Sequence, residues 1–198
     1  LTTSVPEIVV EAVDEEGGTL VSRILSAGLG PAVDSAEAIG AGGDPQAAYQ
    51  AGLTIGSTLA GLGFNLDFAP VADVANVENS VMKERSFGSD AVLVAEFVTS
   101  MSRGIEESGV SSCLKHFPGL GCTTEDTHDG IVSTDRTLEQ FTGEEFVVFQ
   151  AGIDAGADMI MVGHALAPEV TGDNLPCTFS RTLVTDILRE QMNYDGVV

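Results

Sequence analysis

The sequence predicts an α/β protein with a parallel sheet, and within that class an incomplete section, about five βα units, of a TIM-type (β/α)8 barrel. Three observations carry this. Short apolar runs alternate with longer helix-compatible stretches along all 198 residues, the pattern of strands joined by helical crossovers. Successive strand ends deliver charged or imidazole groups: Asp14 and Glu16, Asp73 and Arg85, Lys115 and His116, then His164. A barrel gathers its site in that way, from many strands on one rim. An open doubly wound sheet gathers ligand groups at one switch point, usually on a phosphate-binding turn. Neither G-x-G-x-x-G nor G-x-x-x-x-G-K-S/T occurs here, and Gly17-Gly18 lacks the spacing.

The elements follow in order. Ile8 to Val13 is a β-branched run that stops at Asp14-Glu15-Glu16-Gly17-Gly18. Asp44 caps a helix with Pro45 in its first position and Gly61 closing it. Asn65 to Val71 is the second strand, and Ser89 or Asp90 caps a helix running to about Ser108. Val110 to Leu114 is the third strand. Thr137, with Gln140 at box spacing, starts a helix expected to continue to about Ala155. Asp158 to Val162 is the fourth strand, Ser180 to Met192 a helix, and Tyr194 to Val198 the opening of a fifth strand. Five strands do not close a barrel whose domains run to about 250 residues. Residues 1–198 therefore read as one partial barrel domain, with open apolar edges that favour self-association.

Composition narrows the function. Apolar residues make up 43% and aromatics 6%, as in ordinary globular chains. Eight Lys and Arg against thirty Asp and Glu give a formal net charge of −22, which argues against nucleic acid and anionic membranes as partners. The acid is spread without long blocks, so a solvated acidic surface is expected. Cys113, Cys122 and Cys177 have neither metal-site nor disulfide-framework spacing. No apolar run reaches the roughly 18 residues of a membrane span. The chain opens on Leu1-Thr2-Thr3, which reads as an excised or processed segment and leaves compartment and oligomeric state undetermined. Cations are scarce enough for position to matter: Arg23, Lys83, Arg85 and Lys115 all follow strand-like runs. Local salt bridges would explain that, and so would a protein that keeps positive charge where a polar ligand is gripped.

The densest chemistry is Lys115-His116-Phe117-Pro118-Gly119-Leu120-Gly121, followed by Asp126-Thr127-His128. On a loop, the Asp126 carboxylate can reach one ring nitrogen of His128, fix its tautomer and raise its basicity, leaving the other nitrogen to exchange a proton. From composition alone His128 reads equally as a solvated loop histidine. Lys115 and His116, anchored at a strand end, suit hydroxyl or carbonyl oxygens; the alternative is a buried pair bonded to barrel carbonyls. His116 and His128 match none of the metal-site spacings, so neither metal nor cofactor is expected.

These residues resemble glycoside hydrolase family 3, and within it the β-N-acetylglucosaminidase branch. Val13 to Gly18, Phe68 to Val74, Glu84-Arg85-Ser86-Phe87-Gly88, Lys115 to Gly121, Asp126-Thr127-His128, Met161 to His164 and Tyr194 to Val198 stand in family order, across essentially the whole chain. The resemblance implies a retaining barrel glycosidase that removes terminal β-linked N-acetylglucosamine from cell-wall fragments or chitooligosaccharides. It makes His128 the acid/base and Asp126 its orienting carboxylate, and it maps Asp14, Arg85, Lys115 and His116 onto the grip on the sugar hydroxyls. Three departures stand out. The Arg often found eight residues after the Asp of D-x-E-G-G is Ser22 here, with Arg23 one later. Leu120 replaces a frequent His, and Thr127 the usual Ser. The family nucleophile, an Asp a few residues after the G-V-V strand, is expected just beyond Val198, and the first barrel strand before Leu1. The alternatives are a non-catalytic saccharide-binding fragment, or a β-glucosidase, β-xylosidase or phosphorylase of the wider family. The first two of these enzymes generally lack the D-x-H pair.

Overall fold

Apart from one antiparallel hairpin, the strands lie side by side in the order in which they occur along the chain. The computed structural model describes residues 9–198. β1 (Ala12–Val13) leads into a hairpin of β2 (Glu15–Gly17) and β3 (Val21–Ser22). Helices α1 (Ala36–Ala41) and α2 (Pro45–Leu62) precede β4 (Leu66–Asp67), and α3 (Ala91–Glu107) precedes β5 (Cys113–Phe117). Then come α4 (Leu138–Gly143), α5 (Glu145–Asp154), β6 (Met159–Val162), α6 (Pro168–Thr171), a 3-10 turn at Cys177–Phe179 and a π-helix over Thr182–Gln191.

β1 pairs in parallel with β4, parallel bridges Leu66–Ser111 and Val71–Lys115 link β4 to β5, β5 pairs in parallel with β6, and Met159 bridges Val197 in the same sense. A doubly wound sheet would reverse its order at a switch point. This one never does, which is the winding of a barrel wall.

The helices cover the outside of that wall. α2 buries Ala48, Ala51, Ile55 and Leu59, and α3 buries Val94, Val98, Met101 and Ile105, both at helical spacing. Complete burial of a residue such as Ile55 or Leu59 contributes about 1.5–3 kcal/mol. The two helices cross closely because glycines face the contact: a Cβ at Gly52 would lie 2.2 Å from the Met101 carbonyl, and one at Gly104 2.3 Å from that of Tyr49. Phe117 ties β5 to α5, stacked on Phe146 at 5.3 Å and edge-on to Phe149 at 5.2 Å. A smaller apolar cluster of Val71, Met82, Leu120, Val132 and Ala165 lies under the loops that leave β4, β5 and β6. No helix among the described residues is long and apolar enough to cross a membrane.

Several element boundaries differ from expectation, each for a local reason. The helix capped by Asp44 passes Gly61 and ends at Leu62, because the residue with a left-handed φ of 93° is Gly63. The strand expected over 65–71 is confined to Leu66–Asp67, since Pro70 has no N–H for a ladder. β5 starts at Cys113 and carries Lys115 and His116 inside it; the cation does not end the strand, because carboxylates neutralise it there. The helix expected from Thr137 to Ala155 has the Thr137–Gln140 capping box but breaks at Glu144 (φ −129°, ψ −83°), which brings the carboxylates of Glu144 and Glu145 to Arg136. The segment after Ser180 is a π-helix, with Met192 N–H bonded to the Ile187 carbonyl at 2.9 Å; its apolar spacing does not separate the two helix types. The expected fifth strand is a single bridge at Val197. Ile8 of the first strand lies outside the described residues, and the observed strand is Ala12–Val13.

The crossing makes a direct prediction. Gly52→Ala should lower unfolding free energy in urea by about 1–3 kcal/mol through overpacking. Gly61→Ala, where the added Cβ meets nothing within 4 Å, should leave stability unchanged or raise it by up to about 1 kcal/mol. Equal effects at the two positions would contradict the close crossing.

Candidate active site

The site is built around a buried cation. Lys115 lies in mid-strand with 1% of its side chain exposed, its Nζ 2.5 Å from Asp14 Oδ1 and 2.6 Å from Glu16 Oε1. Arg85 holds Glu16 from the other side with two bonds, Nε to Oε2 at 2.8 Å and Nη2 to Oε1 at 2.7 Å, the fork geometry that only a guanidinium provides. Burial raises the Glu16 carboxyl, but the Arg85 bond and the charges of Lys115 and Arg85 outweigh it and hold the group below its ordinary value.

Strand alternation sends the intervening Glu15 the opposite way. Its carboxylate accepts the Ile24, Leu25 and Gly17 N–H groups at 2.8, 3.1 and 3.2 Å, which folds the β2–β3 hairpin around it. Asp67 on β4 accepts the Glu15 N–H at 2.9 Å. Burial pushes the Asp67 carboxyl well up, against the pull of that bond and of Lys115.

Two Asp–His pairs follow. His116 Nδ1 is 2.7 Å from Asp73 Oδ2, while Asp73 Oδ1 accepts the Leu120 N–H at 2.6 Å and the His116 N–H at 3.4 Å. Asp73 is fully buried, so the ring is held at Nδ1 and its Nε2 is the nitrogen left for other partners. His128 Nδ1 is 2.6 Å from Asp126 Oδ1, which also accepts the His128 N–H at 2.9 Å. That N–H is the main cause of a lowered Asp126 carboxyl; slight burial opposes it, and the His128 ring and the Arg85 charge add to it. The His128 side chain is 81% exposed.

The loop that carries this second pair leaves β5 and ends at α4. Ser80 Oγ donates to the Gly121 carbonyl at 2.7 Å and Val81 N–H to that of Thr123 at 2.9 Å. Further on, Leu166 N–H bonds the Val132 carbonyl and Thr134 N–H bonds that of Leu166. Behind these stems sits a cluster the sequence did not suggest. Arg136 Nη2 lies 2.6 Å from Glu144 Oε2 and 3.0 Å from Glu145 Oε2, and Asn76 donates to both carboxylates, at 3.0 Å to Glu145 Oε1. Burial pushes the Glu145 carboxyl up to about 7, with the Arg136 charge opposing.

The structure thus brings Asp14, Arg85 and Lys115 into one network, places His116 next to Lys115 on the same strand, and sets Asp126 and His128 in contact. Arg23 is not part of that network: it is exposed just past β3, while its neighbour Ser22 is buried and accepts the Ser26 N–H. His164 bonds the Thr178 hydroxyl at 2.9 Å. Asp73, read from sequence only as a strand-end acid, is the partner of His116. Its signal was the position, two residues after Val71, whose strand bridge faces Lys115.

Residues 2–198 match the glycosyl hydrolase family 3 N terminal domain. The chain belongs to glycoside hydrolase family 3. A curated beta-hexosaminidase of Xanthomonas euvesicatoria pv. vesicatoria (strain 85-10) is 36% identical over 201 residues, covering 98% of this chain and 58% of the relative. This family 3 chain spans between 40% and 58% of the length of the curated relatives it matches. Among solved structures, a family 3 beta-N-acetylglucosaminidase from Paenibacillus sp. str. FPU-7 superposes with a TM-score of 0.86 at 35% identity, over 96% of this chain and 36% of the other. NagZ from Neisseria gonorrhoeae, solved with N-trifluoroacetyl-D-glucosamine, gives 0.86 at 28% identity, over 95% and 56%. The chain-ordered parallel wall is a section of the (β/α)8 barrel that these family 3 proteins share.

Glu145 supplies a pH prediction. Its folded value of about 7 lies above the ordinary 4.5, so between the two the folded state binds more protons than the unfolded one. Its contribution to stability is then present below about pH 4.5 and lost as pH rises through about 7. Glu145→Gln should accordingly raise Tm relative to wild type at about pH 8 and match it most nearly at about pH 4. A constant difference across that range would contradict the raised value.

Proposed function

We propose that the full-length protein is a retaining glycoside hydrolase that releases terminal β-linked N-acetylglucosamine, with His128 as acid/base and Asp126 as its orienting carboxylate. The observation that carries this is the 2.6 Å contact between His128 Nδ1 and Asp126, on the loop that leaves the strand bearing Lys115 and His116. With Nδ1 engaged, Nε2 faces outward to protonate the glycosidic oxygen and then to take a proton from water. Retaining glycosidases commonly use two carboxylates about 5–5.5 Å apart; in this reading an imidazole replaces one, and an Asp following the Gly196-Val197-Val198 segment attacks the anomeric carbon. An acid that is already paired to a carboxylate needs no second buried group to stabilise its charged form, which suits an exposed loop.

Substrate grip falls to the buried network. Lys115 and Arg85 are fixed donors, Asp14 keeps an open edge that can accept sugar hydroxyl protons, and His116 Nε2 is held in place through Asp73. Arg23, exposed just past β3, belongs to this reading on the family resemblance alone, as an outer cation. The relatives named beta-hexosaminidase and beta-N-acetylglucosaminidase support N-acetylglucosamine over glucose or xylose as the sugar.

His128→Ala in the full-length protein should lower turnover of a chitooligosaccharide, a poor leaving group, by about 10²–10⁴-fold. Cleavage of a dinitrophenyl N-acetylglucosaminide, which needs no protonation to leave, should fall far less. Equal losses on both substrates would remove the acid role.

A further inference from the structure

The loop from Pro118 to Thr137 joins β5 to α4 without a helix or strand of its own, and a connection of that length needs something to hold its course. Its tip holds Asp126 and His128 through bonds to each other, so the position of the tip depends on the two stems. Both stems meet the same group. At the C-terminal stem, Arg136 is bonded to Glu144 and Glu145. At the N-terminal stem, Gly119 packs on the Glu145 side chain so tightly that a Cβ there would lie 2.5 Å from Glu145 Cγ. Asn76, from the loop after β4, donates to both carboxylates. The stems also touch each other, with Cys122 Sγ 3.6 Å from the Thr134 hydroxyl, which in turn accepts the Arg136 N–H at 3.2 Å.

We propose that Arg136, held by Glu144 and Glu145, is a positioning residue that sets the Asp126–His128 pair for proton transfer, an inference that rests on the acid/base reading above. The arrangement is costly for the fold: it interrupts the helix at Glu144 and encloses a guanidinium with the buried Glu145 carboxylate, Glu144 closing the cluster from its half-exposed side. Buried ion pairs contribute weakly to stability compared with apolar residues of the same size. What this one supplies is a single connection between the two ends of the loop, α5 and the β4 loop. Neither Arg136 nor Glu145 is among the groups that face the sugar in the proposed reading, so an effect through His128 shows as a leaving-group dependence of kcat, whereas one relayed through Leu120 and Asp73 to His116 shows in KM.

The test uses the full-length protein, with Arg136→Ala, Arg136→Lys and Glu145→Gln beside His128→Ala. Substrates are di-N-acetylchitobiose and a dinitrophenyl N-acetylglucosaminide. A misplaced acid should lower kcat on the disaccharide by about 10–100-fold in Arg136→Ala, with the activated substrate losing less than about threefold. KM should stay within about twofold on both substrates. Arg136→Lys, which keeps the charge on a shorter side chain that reaches both carboxylates less well than Nη2 does, should recover part of the loss, and Glu145→Gln, which keeps the side-chain volume, should show the same leaving-group pattern more weakly. The inference is overturned if the Arg136 and Glu145 variants lose activity equally on both substrates, lose it only in KM, or lose it only in proportion to a lowered Tm. Those results together with a leaving-group split in His128→Ala would overturn the inference alone. No split in His128→Ala would overturn the acid/base reading and this inference with it.

Discussion

The structure is organised by the burial of one ammonium group inside a strand. An unpaired buried cation costs several kcal/mol, so Lys115 dictates where carboxylates must be. Asp14 supplies one from 101 positions earlier in the chain, and Glu16 supplies the second. That requirement draws the end of β1 onto β5 across the intervening β4 and lets a charged residue stand within a barrel strand. Because Asp14 and Glu16 point one way, Glu15 points the other, where it becomes the acceptor around which the hairpin closes. Glu16 then recruits Arg85 from the loop after β4. Sheet order, hairpin shape and the placement of the second cation all follow from neutralising Lys115.

The two Asp–His pairs show how surroundings divide one interaction between different tasks. Their Nδ1–carboxylate distances are nearly the same, 2.7 and 2.6 Å. Asp73 is wholly buried and bonded to two backbone N–H groups as well as the ring, so His116 cannot turn without breaking the floor of the site. Asp126 is bonded only to His128, on a loop tip open to solvent. The first arrangement fixes its ring, and the second leaves its ring open to solvent, as the proposed acid/base role requires. Neither geometry nor residue type separates them; burial does.

Local signals were the legible part of this sequence. The caps at Asp44 and Asp90 and the Thr137–Gln140 box are satisfied within three residues of the helix start, so the chain states them without knowledge of the fold. The alternation of strands and helices, and the gathering of polar groups at strand ends, carried the barrel reading for the same reason. What escaped was set by partners far away. The extension of β5 through Lys115 depends on Asp14, just after β1, and Glu16, in β2, and the break at Glu144 depends on Arg136 and Asn76, whose meeting no spacing announces. Asp73 was visible as a strand-end acid, but its tie to His116 required knowing that the two strands are neighbours. The scarcity of cations points inward for Arg85 and Lys115, whereas Lys83 is an exposed partner of Glu37, and Arg136, also largely enclosed, follows no strand-like run that would mark it.

Charge balance explains why the two buried ionic clusters titrate in opposite directions. Glu16 and Glu145 are similarly enclosed, with side-chain exposures of 7% and 0%, and in both the first effect of burial is to raise the carboxyl. In the first cluster Glu16 lies between two cations, bonded to Arg85 and in contact with Lys115, and it is held low. In the second, Glu144 and Glu145 share Arg136 alone, two negative against one positive. The missing charge is made up by a proton, and the Glu145 carboxyl rises to about 7. A chain with eight cations and thirty acids cannot balance every buried carboxylate with a cation. It sets Glu16 between two cations, Lys115 and Arg85, and leaves to a proton the Glu145 carboxyl, which shares its one cation with Glu144.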